Sequence, residues 1–281
     1  VIVKKIQKIP LYFLVLDIWP DAMKSGGGIT NKLILGFVDR IVKCMYNNSD
    51  KILISSEEFR PLVSSKGAYK EKIEYFPNWS NDLLFMSDDY PIPGLPKGFI
   101  IMIAGNLGKS QNLDAVMKAA VELKNEKMIK WILIGDGSKK DWVDNFVETN
   151  RLKETVFTYG KFPLEAMPAF YKRAGAMLLT LSGEYTDLKI YVPARLQSYM
   201  AAGRPVLGMI DGAGADLILK ANCGYVVNSG DYISLAYTIR EKVFTDLEAF
   251  EKLGSNGRKY FEKHFQKDKC IDHLCRIINS K

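Results

Sequence analysis

The residues best suited to chemistry are Gly105-Asn106-Leu107-Gly108-Lys109-Ser110-Gln111-Asn112, set between an apolar run and a helical pattern. Glycine lets a backbone approach a ligand closely. The first N–H groups of the helix that follows have no partner within it. Those donors and the helix dipole favour an anion, most naturally a phosphate. Lys109 adds a movable positive charge. On this turn alone, a plain strand-to-helix connection stays equally open. Two stricter motifs fail. A P-loop ending at Gly108-Lys109-Ser110 needs glycine at position 103, where the chain has Ile103, and neither Gly105 nor Gly135 opens a G-x-G-x-x-G fingerprint.

Other turns repeat the pattern. Gly135-Asp136-Gly137 follows the apolar run Trp131–Ile134, and Gly160-Lys161-Phe162 follows Val156–Tyr159. A fourth region runs from Ser182 through Glu184 and Asp187 to Val192-Pro193-Ala194-Arg195-Leu196-Gln197-Ser198-Tyr199-Met200-Ala201-Ala202-Gly203-Arg204-Pro205-Val206. Proline in a first helical turn and glycine just past the last suit a helix from about Pro193 to Ala202. Arg195 then lies in its first turn, where a guanidinium can pair with a second phosphate; alone, it would read as a surface arginine.

The elements that must position these turns alternate. The first series holds strands at Leu11–Leu16, Lys51–Ser55 and Ile73–Phe76, with helices at Thr30–Asn48 and Glu57–Ser65. Pro91, Pro93, Gly94 and Pro96 make Asp88–Lys97 the best linker in the chain. A second series follows, with strands at Phe99–Ala104, Trp131–Ile134, Val156–Tyr159, Ala176–Leu181, Pro205–Met209 and Gly224–Val227. Its helices fall at Leu113–Leu123, Lys139–Asn150, Leu164–Arg173, Pro193–Ala202, Ala215–Ala221, Ile233–Phe244 and Leu247–Phe261. Short strands separated by helices imply α/β, doubly wound parallel sheets, which bind ligands where strand order reverses.

The chain has 281 residues, which suits two domains. No apolar run approaches the length of a membrane span. Lys and Arg number 39 against 32 Asp and Glu, a formal +7, so anions are favoured partners. Nucleic acid is not expected, because the chain has no interleaved basic-aromatic groove motif and no zinc-finger spacing. The sparse Cys44, Cys223, Cys270 and Cys275 form no C-x-x-C and suit a reducing compartment. Cys270, Cys275, His264 and His273 lie in an amphipathic pattern where such residues usually pack, so no metal site is expected.

The ordered set Gly105-Asn106 through Gln111, Gly135-Asp136-Gly137, Gly160 and Val192 to Val206 resembles the group 1, or family 4, glycosyltransferases. The subgroup is the colanic-acid, O-antigen and capsule type (WbuB-like). Asp17-Ile18-Trp19-Pro20-Asp21, Pro77-Asn78-Trp79, Tyr260 and His264-Phe265 extend the likeness over nearly the whole chain. The resemblance implies a GT-B fold of two Rossmann-like domains, the first incomplete. Residues 1–92 would be the C-terminal part of the acceptor-side domain, 93–262 the donor-binding domain, and 263–281 a helix returning toward the first.

It also implies a retaining, metal-independent transfer in surface-polysaccharide biosynthesis. A nucleotide-diphosphate sugar, most often a UDP-sugar, would donate to a saccharide or polyprenyl-diphosphate-linked acceptor, with no separate cofactor. By position, Gly105, Asn106 and Gln111 would face the diphosphate, joined by Gly135. The turn at Gly160-Lys161-Phe162 would contact the base through its backbone, and Lys109 and Arg195 would stabilise the departing charge. The family's E-x7-E pattern falls on Ile190 and Ser198, so Ser198 or Glu184 would take the ribose; Ala213 stands where the subgroup often has glutamate. The setting would be cytoplasmic. Lys4, Lys5, Lys8, Lys24, Lys32 and Arg40 would suit the anionic inner face of a membrane. Two rival readings are a nucleotide-sugar epimerase of the same architecture and a non-catalytic nucleotide-sugar-binding module.

Overall fold

The computed structural model describes residues 1–25, 28–67, 70–80 and 89–279. Asp88, at the head of the expected linker, and the side chain of Lys24 lie outside the described residues. Asp89 to Lys97 carries no regular element, as its prolines require. The chain forms two compact units. One comprises Val1–Asn78, Tyr185–Val192 and Cys270–Lys281; the other comprises Trp79–Glu184 and Pro193–Lys269.

The first unit runs α1 (Ile2–Gln7), β1 (Tyr12–Val15), α2 (Asp21–Ser25), α3 (Lys32–Asn48), β2 (Lys51–Ile54), α4 (Phe59–Ser65) and β3 (Ile73–Tyr75). Its strands are parallel, in the order β1-β2-β3. Val15, Ile18, Val42, Tyr46, Ile52 and Phe59 belong to its core. α3 begins at Lys32 rather than Thr30 because Asn31 caps it, its side chain accepting from Leu33 N and Ile34 N. α1 carried no sequence expectation and buries no residue. Tyr191 ties the 185–192 segment in: its hydroxyl accepts from Ile18 N at 3.1 Å, and its ring stands edge-on to Phe59. The chain's last helix, Lys267–Asn279, adds Cys270 and Ile277 to a small cluster with Leu53 and Phe76.

The second unit runs β4 (Phe99–Ala104), α5 (Leu113–Glu122), β5 (Ile129–Ile134), α6 (Lys140–Thr149), β6 (Val156–Tyr159), α7 (Met167–Arg173), β7 (Ala176–Thr180), α8 (Ala194–Ala201), β8 (Val206–Met209), α9 (Ala213–Lys220), β9 (Gly224–Val227), α10 (Tyr232–Thr238) and α11 (Leu247–His264). All neighbouring strands pair in parallel, in the order β6-β5-β4-β7-β8-β9. This is the doubly wound dinucleotide-fold order, with its reversal between β4 and β7. β4 is buried from Ile100 to Ala104, as expected of a central parallel strand covered on both faces. α5 turns Leu113, Val116, Met117 and Ala120 inward.

Two elements depart from the sequence expectation for backbone reasons. The helix over Leu164–Arg173 divides into a 3-10 turn, Leu164–Ala166, and α7. Pro168 has no N–H and is accommodated only in a first helical turn, so the α-helix proper starts beside it. The helix over Ile233–Phe244 gives way after Thr238 to a π turn, Ile239–Val243. Its Ile239 and Val243 stay in the core.

The thiols sort by burial. Cys44 and Cys275 are exposed, and Cys223 and Cys270 are buried. Burial pushes the Cys223 thiol up to about 12 and raises Cys270 as well. A thiolate-selective reagent at pH 8 should therefore titrate Cys44 and Cys275 rapidly in the native protein. Cys223 and Cys270 should respond only after denaturation. Rapid labelling of Cys223, read by peptide mapping, would contradict this packing.

Candidate functional site

Ligands of a doubly wound sheet sit outside the carboxyl ends of its strands, at the reversal. Here that is the edge following β4 and β7. Gly105, the first residue after β4, has φ 129°, a region that favours glycine. Its N–H donates to Ile134 O at 2.9 Å. Gly135, the first residue after β5, has φ 137°, and a Cβ built there would stand 1.9 Å from Gly105 O. The close approach of the two strand ends thus requires glycine at 135, and the positive φ favours it at 105. Gly135 N in turn donates to Tyr159 O at 3.1 Å and Gly160 O at 3.2 Å. The first three expected turns form one continuous backbone ledge.

The second turn locks the first. Leu107 N donates to Asp136 O at 2.8 Å, and Lys139 N donates to Leu107 O at 3.0 Å. The Asn106 side chain lies against Gly108 and Gly137, within 2.8 Å and 2.6 Å of where their Cβ atoms would be. On the β7 side, Ser182 N donates to Ser110 O at 2.8 Å, and Thr180 Oγ1 donates to Gln111 O at 3.0 Å. The segment 105–111 is therefore pinned from both sides of β4.

α5 enters from this loop with its N-cap, Asn112, in the left-handed conformation and making no side-chain cap. Its leading N–H groups stay available. Asp114, in its first turn, pairs with Lys139 at 2.9 Å, so that carboxylate is neutralised rather than set against an incoming anion. α8 also begins without a side-chain cap, at Pro193.

Arg195 is where the two helices' contributions meet. Its guanidinium lies over Gly105: a Cβ there would be 3.5 Å from Nη2 and 3.6 Å from Cζ. Its Nη1 is buried and has no hydrogen-bond partner. Tyr171 is buried close by, its hydroxyl pushed well above the ordinary range by burial and by Tyr199, with the Arg195 charge opposing the shift. A guanidinium that sets Nη2 over an exposed glycine and keeps a buried, unpaired Nη1 has the hydrogen-bonding capacity for an anion.

The remaining expected residues occupy separate places along the same edge. Lys109 is exposed and makes no ion pair among the described residues. Lys161 is exposed beyond β6, while the Phe162 ring packs edge-on against Phe170 at 4.8 Å. Gly160 has open space where a side chain would be. Glu184 is exposed, its backbone N–H donating to Ser182 Oγ at 3.3 Å. Ser198, one turn beyond Arg195, shares a hydrogen bond with the buried Ser80 at 3.1 Å.

Sequence reasoning did not anticipate Ser80, Thr180 or the Asp211–Ser229 contact, in which Ser229 N donates to Asp211 Oδ1 at 3.0 Å. Small hydroxyl and carboxylate groups that bond backbone carry no spacing signal. Among the described residues, no group of three or more His, Cys, Asp or Glu side chains converges as metal ligands. His273 instead faces Tyr75 O at 3.2 Å. Likewise, no described helix is long and apolar enough to cross a membrane.

Two units of parallel strands and helices, taken with the likeness to the solved structures that follow, give the chain a GT-B fold. The crystal structure of Anabaena HepE in complex with UDP covers 100% of this chain and matches 75% of its own, with TM-score 0.78 at 14% identity. The same protein in complex with UDP-glucose gives 0.73 at 15% identity, with 100% and 75% covered. A glycosyltransferase from Rickettsia africae gives 0.72 at 12% identity, over 98% of this chain and 78% of that one.

Residues 91–260, more than half of the chain, match the family described as glycosyl transferases group 1, and the chain belongs to that family. WbjE of Pseudomonas aeruginosa, named as a probable glycosyltransferase, is 22% identical over 266 residues, 90% of this chain and 64% of WbjE. WcaI of Escherichia coli K12, whose name assigns it to colanic acid biosynthesis, is 26% identical over 195 residues, 65% of this chain and 45% of WcaI. The chain thus spans less than two thirds of the length of either relative.

The ledge can be tested by substitution. Gly135→Ala forces a Cβ onto Gly105 O and should cost at least about 2 kcal/mol of stability in urea unfolding. Gly105→Ala, whose Cβ meets only the Arg195 side chain, should cost less. Equal urea midpoints for the two variants would refute the close approach.

Proposed function

We propose that this chain carries the donor site of a glycosyltransferase of the colanic-acid and O-antigen type. In this reading, the second unit binds a nucleotide-diphosphate sugar, with UDP as the nucleotide. The sugar passes with retention to a saccharide acceptor, lipid-linked in the cell, in surface-polysaccharide synthesis. The observation that carries the reading is Arg195 lying over Gly105 with a buried N–H and no partner. The UDP and UDP-glucose named in the HepE complexes support the choice of ligand.

The chemistry follows from charge. Transfer breaks the bond between the anomeric carbon and the diphosphate oxygen, and negative charge grows on the departing diphosphate. Groups already aimed at that charge lower the barrier without reorganising. The N–H groups opening α5 and the Arg195 guanidinium are fixed donors of this kind, and Lys109 brings a mobile charge from solvent. No step in this scheme calls for a metal. Asn106 and Gly135 shape the phosphate ledge. Lys161 and Phe162 border the base, and Glu184 or Ser198 takes the ribose. The lysines of the first unit suit an anionic membrane face beside a lipid-linked acceptor, on the cytoplasmic side.

Arg195→Ala separates function from fold. The change removes a buried unpaired N–H, so thermal stability should hold or rise slightly. UDP affinity by calorimetry should fall about 10- to 100-fold, the value of one or two charge-assisted hydrogen bonds. Arg195→Lys should recover only part, because an ammonium lacks the planar fork. Unchanged UDP binding in Arg195→Ala would remove Arg195 from the site. Epimerised sugar from a labelled UDP-sugar without acceptor would favour an epimerase instead.

A further inference from the structure

Two buried polar atoms at the carboxyl edge of the second unit lack partners, and they differ in kind: Arg195 Nη1 is a donor, and Gln111 Oε1 is an acceptor. The same unit's other such atoms, on Glu126 and Arg204, lie just ahead of β5 and β8, at the opposite ends of the strands. A phosphate satisfies Arg195 and does nothing for Gln111, since an ionised phosphate only accepts. A molecule that satisfies both must carry hydroxyl or N–H donors as well as phosphate.

The position of Gln111 is tightly determined. It closes the 3-10 turn Lys109–Gln111 and is 6% exposed. Its N–H donates to Gly108 O at 3.1 Å, and its carbonyl accepts from Thr180 Oγ1 at 3.0 Å. Thr180 ends β7, so Gln111 spans the two strands between which the order reverses. Its Nε2 donates to Ser110 Oγ at 3.2 Å, and its Oε1 has no partner. A neutral acceptor left dry is costly in the empty protein and strongly selective for a ligand that supplies the missing donor.

We propose that Gln111 is a specificity-determining residue, whose Oε1 accepts a hydrogen bond from a hydroxyl of the donor's sugar rather than touching the diphosphate. This rests on the donor-site reading above. Gln111 thus selects the hexosyl part of the ligand, while Arg195 and the α5 N–H groups hold the phosphates. The residue acts on recognition and contributes no charge to the departing group.

The test compares UDP with UDP-glucose, UDP-galactose and UDP-N-acetylglucosamine by calorimetry on the whole chain. Gln111→Met keeps the side-chain length and removes both polar atoms. It should weaken the preferred UDP-sugar about three- to tenfold and leave UDP within about twofold. Gln111→Asn, which withdraws the amide, should do the same and serves if the methionine variant does not fold. Analogues of the preferred sugar with each hydroxyl in turn replaced by fluorine should include one that weakens the wild type but not Gln111→Met. Equal losses for UDP and UDP-sugar would make Gln111 a phosphate contact, and no loss for either would make it structural; each overturns the assignment. If the wild type binds neither UDP nor any UDP-sugar, the donor-site reading fails first and the Gln111 assignment with it.

Discussion

The contact on which the candidate site depends is between two backbones. Gly135 approaches Gly105 O so closely that no side chain fits between them. Adjacent parallel strands normally diverge into separate loops after their last hydrogen bond. Here they stay together for one more residue, and Gly105 remains bonded to Ile134 while Gly135 reaches Tyr159 and Gly160. That extension gives a flat polar edge at the place where strand order reverses. It also sets Gly105 in front of Arg195, where its φ of 129° rather than want of space favours glycine.

The site departs from what stability alone would select. A buried guanidinium N–H and a buried amide oxygen are both left unpaired near the strand reversal. At the opposite ends of the strands Glu126 and Arg204 also keep an unpaired atom each, whereas Thr155 is satisfied by Leu152 O and Ser229 by Leu181 O. Apolar packing around Trp131, Leu133 and Met117 is dense enough to tolerate the imbalance. In the proposed donor site, the two unpaired groups near the strand reversal are the ones a ligand satisfies.

Much of this scaffold was legible in the chain. β4 reads as a central strand because Phe99–Ala104 is apolar without alternation, and α5 reads as a helix because one face alone is apolar. Gly105 and Gly135 announced close approach by residue type. Arg195 was legible only as a first-turn residue; its approach to Gly105 arises from tertiary structure that no local pattern encodes. The Ser80–Ser198 bond joins residues 118 apart through hydroxyls that suit almost any environment, so no periodicity or spacing marks it. Gln111 was placed by position next to the phosphates, whereas its burial and its single open atom appear only once Thr180 is beside it. Side-chain burial at a loop residue is decided by the neighbouring strand, not by the loop.

That division bears on how such a site tolerates change. In the proposed donor site, anion binding draws on backbone N–H groups and one guanidinium, and the backbone donors survive almost any side-chain substitution that spares the glycines. Ile190 and Ser198, where the family pattern carries glutamates, therefore need not abolish the grip on a diphosphate. In the same proposal, discrimination among sugars comes from side chains such as Gln111. The two functions can then drift separately: the ledge is constrained by sterics between strands, and the selecting residue is constrained only by the hydroxyl it meets. A chain of this kind can keep its nucleotide while changing its sugar through one or two substitutions at the end of β4 and β7.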